Sequence, residues 1–181
     1  MKKLLLLLVA GGGFLSAQKI EISASYGVPS LYGVANDIGT SIVNGLILPN
    51  EKTPTSMGVA VIGVAVYSNN NKWRYGVDVT NEFFTKIESV PQKNIFSVLP
   101  KVDYFWFNRE KFRMYSGVAA GVTFNSHKYN LKDQKETKST DTIFGFNVLP
   151  IGFRYGGDFG VFLETNLGMK GFVQGGVSYK F

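Results

Sequence analysis

Residues 73–83 read Trp-Arg-Tyr-Gly-Val-Asp-Val-Thr-Asn-Glu-Phe. Trp73, Tyr75, Val77, Val79 and Phe83 share one parity, while Arg74, Gly76, Asp78, Thr80 and Glu82 share the other. Side chains alternate across an extended strand, so the stretch predicts a strand with one apolar, aromatic face and one charged face. The split recurs at 112–124, where Phe112, Met114, Val118, Ala120, Val122 and Phe124 oppose Arg113, Tyr115, Gly117, Ala119, Gly121 and Thr123. It returns at 159–167 and 173–181, and further strands are predicted at 19–28, 56–67, 94–107 and 142–155, eight in all. In 56–67 and 142–155 both parities are apolar, and those two alone would fit a soluble core.

The mixed face decides between a soluble and a membrane barrel. Glycine, alanine and charge collect there, which suits a narrow lumen, and the large aromatics take the other side, which suits lipid. A soluble barrel would turn its aliphatics inward and its charges outward. The connections agree: 68–72, 108–111 and 156–158 are tight, 29–55, 84–93 and 125–141 are long, and only the last hairpin, 168–171, breaks the alternation. An even strand number with turns on one side and loops on the other is the plan of an outer-membrane barrel. In 29–55, Leu31, Ala35, Ile38, Ile42 and Leu46 recur at helical spacing between Asn36, Asp37 and Asn44. The expected fold is therefore all-β: an eight-stranded antiparallel up-and-down transmembrane β-barrel with a short helix in its first extracellular loop. The polar run at 125–141 is expected to be a solvated loop.

Composition narrows the chemistry. Among 181 residues there are 21 glycines, 15 Phe, 9 Tyr and 2 Trp, with 45% hydrophobic and 18% charged residues, which fits one β-rich domain. With no Cys and one His, disulfide frameworks, thiol catalysis and multi-histidine metal centres are excluded. Residues 1–17 carry Lys2 and Lys3, an apolar run from Leu4 to Ala10 and Ser16-Ala17 before Gln18, the form of a cleavable signal peptide, leaving 18–181 as the barrel domain. Without Lys2 and Lys3, 17 of the 19 basic side chains stand against 13 acids, a balance of +4 and no nucleic-acid footprint.

The inward parity holds Glu21, Asp78, Glu82, Asp103 and Glu164 together with Arg74, Lys101, Arg113, Arg154 and Lys180. Eight strands enclose a space just wide enough for side chains, so these ten charges are expected to pair across the lumen and plug it. Trp73, Tyr75, Trp106, Phe112 and Phe159 are expected to form a membrane girdle. Pro100 and Pro150, lacking a ladder donor, should each cost a hydrogen bond or sit at a bulge, and the bulge is the preferred reading. Ser126 and His127 are adjacent and point to opposite faces of an extended chain, so they make a poor nucleophile–base pair. No catalytic residue, cofactor or metal site is expected.

The signal, the eight-strand pattern and the ending Gly176-Val177-Ser178-Tyr179-Lys180-Phe181 together resemble the small outer-membrane β-barrel proteins of Gram-negative bacteria, the OmpA-barrel/OmpX class. Residues 95–105, with Leu99-Pro100 at their centre, and 147–150, which repeat part of it, resemble the barrel domains of Bacteroidota. The resemblance implies that Tyr179 and Phe181 form the signal read by the barrel-assembly machinery. It further implies outer-membrane lipid and lipopolysaccharide as partners. The expected role is structural or surface-interactive, through envelope integrity, adhesion or recognition by extracellular loops. The alternative is a small-solute or lipid-handling transporter with a narrow pore. No surface ligand can be named from the residues.

Overall fold

The structure is a computed structural model that describes residues 19–31, 33–35, 54–85, 92–129 and 137–181. Eight strands follow in order: β1 Ile20–Gly27, β2 Ser56–Tyr67, β3 Trp73–Phe84, β4 Gln92–Asn108, β5 Phe112–Tyr129, β6 Thr137–Gly156, β7 Phe159–Gly168 and β8 Val173–Lys180. Each pairs antiparallel with the next, and β1 pairs with β8, closing an up-and-down barrel. Closure leaves no sheet edge along the shared height of the wall. The expected signal peptide and most of the expected first-loop helix lie outside the described residues. What is described of that helix begins at Leu31, with Ser30 as its cap: Gly33 N donates to Ser30 Oγ at 3.0 Å and Val34 N to Ser30 O at 2.9 Å.

The barrel has a turn end, where β1 begins, β8 ends and the connections after β2, β4 and β6 gather, and a loop end, which also carries the short β7–β8 hairpin. At the turn end Asn71 takes a left-handed backbone (φ 51°), which asparagine tolerates, and closes the β2–β3 turn through Asn71 N to Ser68 O at 2.8 Å. The loop end is lopsided. β5 and β6 run on as a paired hairpin to Tyr129↔Thr137, so 125–129 and 137–141 are strand and not the expected loop. β7 pairs with β6 only from Asn147, and among the described residues nothing in β7 faces Thr137 to Phe146.

The two prolines part company. β6 carries an extra residue at Pro150, seen as register shifts against both β5 and β7, so there the bulge is present. Pro100 does not sit at one: the register from Val98↔Val122 to Lys101↔Ala119 is unshifted, and the ladder simply skips Leu99 and Pro100. A missing donor costs a bond without requiring an inserted residue. The bulged Pro150 carbonyl accepts a hydrogen bond from Ser116 Oγ at 2.6 Å, and Trp106 Nε1 donates to the same hydroxyl at 3.3 Å. Ser116→Ala is therefore expected to lower stability by about 1–3 kcal/mol by leaving both groups unmatched on an apolar face. A shift of the urea midpoint in vesicle-embedded protein reads this directly.

Candidate functional site: a filled lumen inside an apolar wall

Polarity is inverted relative to a water-soluble globule. Ile62, Val64, Val77, Val118, Phe144, Val161 and Leu163 are all exposed on the outer face, Phe144 by 71%. Glu21, Arg74, Asp78, Glu82, Asp103, Arg154, Glu164 and Lys180 are buried inside, as is the side chain of Lys101, and Arg113 is half-buried. The ambiguous strand β2 resolves the same way, with Val59, Val61, Ala65 and Tyr67 inward and Ile62 and Val64 outward. Burying many charges while exposing aliphatics is favourable only where the surrounding solvent is hydrocarbon.

The expected girdle residues Trp73, Tyr75, Trp106, Phe112 and Phe159 are exposed at the turn end. Trp73 packs on Tyr104 with ring centroids 4.8 Å apart, and Phe107 meets Phe112 edge-on at 5.9 Å. Tyr179 and Phe181 also lie outward, in an edge-on contact at 4.8 Å.

Inside, the charges pair at successive heights. Toward the turn end Arg74 bridges Glu21 at 2.6 Å and Asp103 at 2.8 Å, with Glu164 at 3.8 Å. Arg154 Nε lies 3.1 Å from Glu21 and donates to Ser178 Oγ at 2.9 Å; its terminal nitrogens donate to the carbonyls of Gly156, Gly157 and Asp158 at 3.0–3.1 Å. That guanidinium fills the turn end of the lumen, and Gly160 beside it leaves the room: a Cβ there would meet Arg154 Cζ at 2.6 Å. Tyr67, Phe105, Tyr115 and Leu149 pack as an apolar cluster, with the Arg74 guanidinium 4.6 Å above the Tyr115 ring and the Lys180 ammonium 5.7 Å from that of Tyr67.

At mid-height Asp78 lies between Lys101 at 2.7 Å and Lys170 at 2.8 Å. Glu164 accepts from Tyr115 Oη at 2.7 Å, from Lys170 at 3.0 Å and from Gln174 Nε2. Toward the loop end Glu82 accepts from Ser30 N at 3.0 Å and from Ser30 Oγ and Ser56 Oγ at 2.6 Å each, drawing the exit of β1 over the lumen. The ten charges singled out by parity thus share one interior, most of them in direct ion pairs.

Parity could not find Lys170. It belongs to the β7–β8 hairpin, and its side chain turns down into the lumen. Asn147 Oδ1 accepts from Lys170 N at 3.2 Å, and Met169 packs against Leu99 and Ala119. The legible signal was Gly168-Met-Lys-Gly171: both glycines have positive φ (144° and 87°), and a Cβ on either would collide with a backbone carbonyl, that of Phe146 or Val28. Two such glycines around a short tip let the hairpin fold inward. Lys93 falls in the connection 84–93, which the sequence pattern assigns to a loop; it is buried with its ammonium 4.5 Å from the Phe84 ring. Ser126 and His127 occupy successive register positions of β5, opposite Thr140 and Ser139.

No family model and no curated protein matches the chain. Solved structures do share its architecture. The barrel is similar to Neisserial surface protein A. That crystal structure aligns with a TM-score of 0.54 at 16% identity, over 91% of this chain and 97% of the other. The N-terminal β-barrel domain of Pseudomonas aeruginosa OprF gives 0.49 at 12% identity over 90% and 97%. Ail, the attachment invasion locus protein of Yersinia pestis, gives 0.45 at 13% over 91% and 97%. The likeness to Neisserial surface protein A is one of fold.

Proposed function

We propose that the chain is an integral outer-membrane barrel with a structural or surface-interaction role, and that its extracellular rim, not its lumen, makes the contacts. The observation that carries this is the filled interior. The cavity between Arg74, Asp78, Lys101, Glu164, Lys170 and Gln174 measures about 10 Å³, the space of roughly one water. A solute would have to break several buried ion pairs to pass. The turn end is then periplasmic and the loop end extracellular, which places the tall β5–β6 hairpin in the medium as the surface available for adhesion or recognition. The fold is shared with Neisserial surface protein A, whose name places that protein at the surface; fold alone does not specify a role. Export by the 1–17 signal and insertion through Tyr179 and Phe181 by the assembly machinery belong to the same reading.

Planar bilayers test it. The purified protein is expected to show no stable conductance; sustained channels of uniform size would overturn the plugged lumen in favour of a narrow-pore transporter.

A further inference from the structure

The outer wall is not uniform. Near the turn end, across β3 to β6, it carries a shallow groove of about 350 Å³ lined by Trp73, Val102, Tyr104, Val118, Val148 and Pro150. The small Ser116 keeps its middle low, and the bulge at Pro150 displaces the β6 side. The Ser116 hydroxyl is committed to Pro150 O and Trp106 Nε1, so the groove offers an occupant an essentially apolar surface.

Directly below it the rim is basic. Asn108 Nδ2 donates to Asn71 O at 2.9 Å, which ties the β2–β3 turn to the β4–β5 turn. Exposed Lys72, Arg109 and Lys111 stand in these two joined turns, with Glu110 the acid among them. The Arg109 guanidinium lies 5.9 Å from the Phe107 ring, close to the wall. From Tyr104 to Asn108 is four residues of strand, about 13 Å. A headgroup at these turns and a chain in the groove are within reach of one lipid molecule.

We propose that this face is a phospholipid site: an acyl chain lies in the groove, and the phosphate of an anionic headgroup is held by Lys72, Arg109 and Lys111. The occupant belongs to the leaflet on the turn side, since the apolar band and the basic turns meet there. Charge complementarity separates it from ordinary lipid contact, which the rest of the wall shares. The inference rests on the membrane-spanning reading, and its test separates the two.

Both tryptophans of the chain sit at the site, Trp73 in the groove wall and Trp106 on the Ser116 hydroxyl, so selectively excited tryptophan fluorescence reports this face. The protein is reconstituted into mixed phosphatidylglycerol–phosphatidylcholine vesicles in which one or the other lipid carries brominated chains. Brominated phosphatidylglycerol is expected to quench with a preference of roughly threefold over phosphatidylcholine, as a few clustered cations would give. The Lys72→Gln/Arg109→Gln/Lys111→Gln variant should lose the preference and keep the quenching. Val118→Phe, an aromatic on a lipid-facing position, should fold normally and weaken quenching by both lipids. Quenching without headgroup preference, or a preference that survives the triple variant, overturns the site while leaving the membrane reading intact. Absence of quenching by either lipid overturns both.

Discussion

Replacing Arg74 with leucine is expected to lower the unfolding free energy of the barrel by about 3–5 kcal/mol, among the largest effects of any single lumen substitution. The guanidinium lies within ion-pair distance of Glu21, Asp103 and Glu164 and stacks over Tyr115. Leucine fills part of the volume but leaves carboxylates in an interior with room for only about one water, and that stranded charge dominates the loss. The double variant Arg74→Leu/Glu21→Gln should therefore be more stable than additivity predicts, because one orphaned charge has gone with its partner. Urea unfolding in phospholipid vesicles, followed by tryptophan fluorescence and by the gel mobility of unheated samples, measures both. A loss below about 1 kcal/mol for Arg74→Leu would mean that water reaches these carboxylates, and with it the filled-lumen reading would fall.

The ends of β5 and β6 show where sequence patterning stops reporting structure. From Phe112 to Phe124 the alternation is sharp because one face meets hydrocarbon and the other the lumen. Beyond Asn125 and before Thr142 the sequence is polar on both parities, and the period-2 signal vanishes although the ladder continues to Tyr129↔Thr137. Hydrophobic alternation reports the solvent on each face, not the hydrogen bonding, so the polar segment read as a loop. Pairing partners in the lumen were hidden for a different reason. Parity says that Arg74 and Glu21 point inward, but only the tilt and stagger of the closed sheet bring these residues, 53 apart in sequence, to one height. The contrast between Pro150 and Pro100 is similar: both lack the donor, and whether the neighbouring strand slips by a residue depends on the partner's register.

Replacing Ile62 with arginine is expected to cost about 2–4 kcal/mol, with the same change at Met57 costing only about 0–1. Ile62 is 63% exposed, midway along β2, and its cross-strand partners Ala24 and Val79 face outward with it. On a soluble barrel such a substitution would be close to neutral, within about 0.5 kcal/mol, since it removes an exposed aliphatic and buries nothing. In a membrane wall the arginine sits near the bilayer midplane, where no water or counter-charge is at hand. Met57, 56% exposed at the loop end of the same strand, lies close enough to the interface for a long cationic side chain to reach it. The difference between the two positions carries more information than either value. A depth-dependent penalty arises only from a surrounding slab of hydrocarbon, whereas equal and small penalties would place the apolar outer face in water and require another explanation for the charges buried inside.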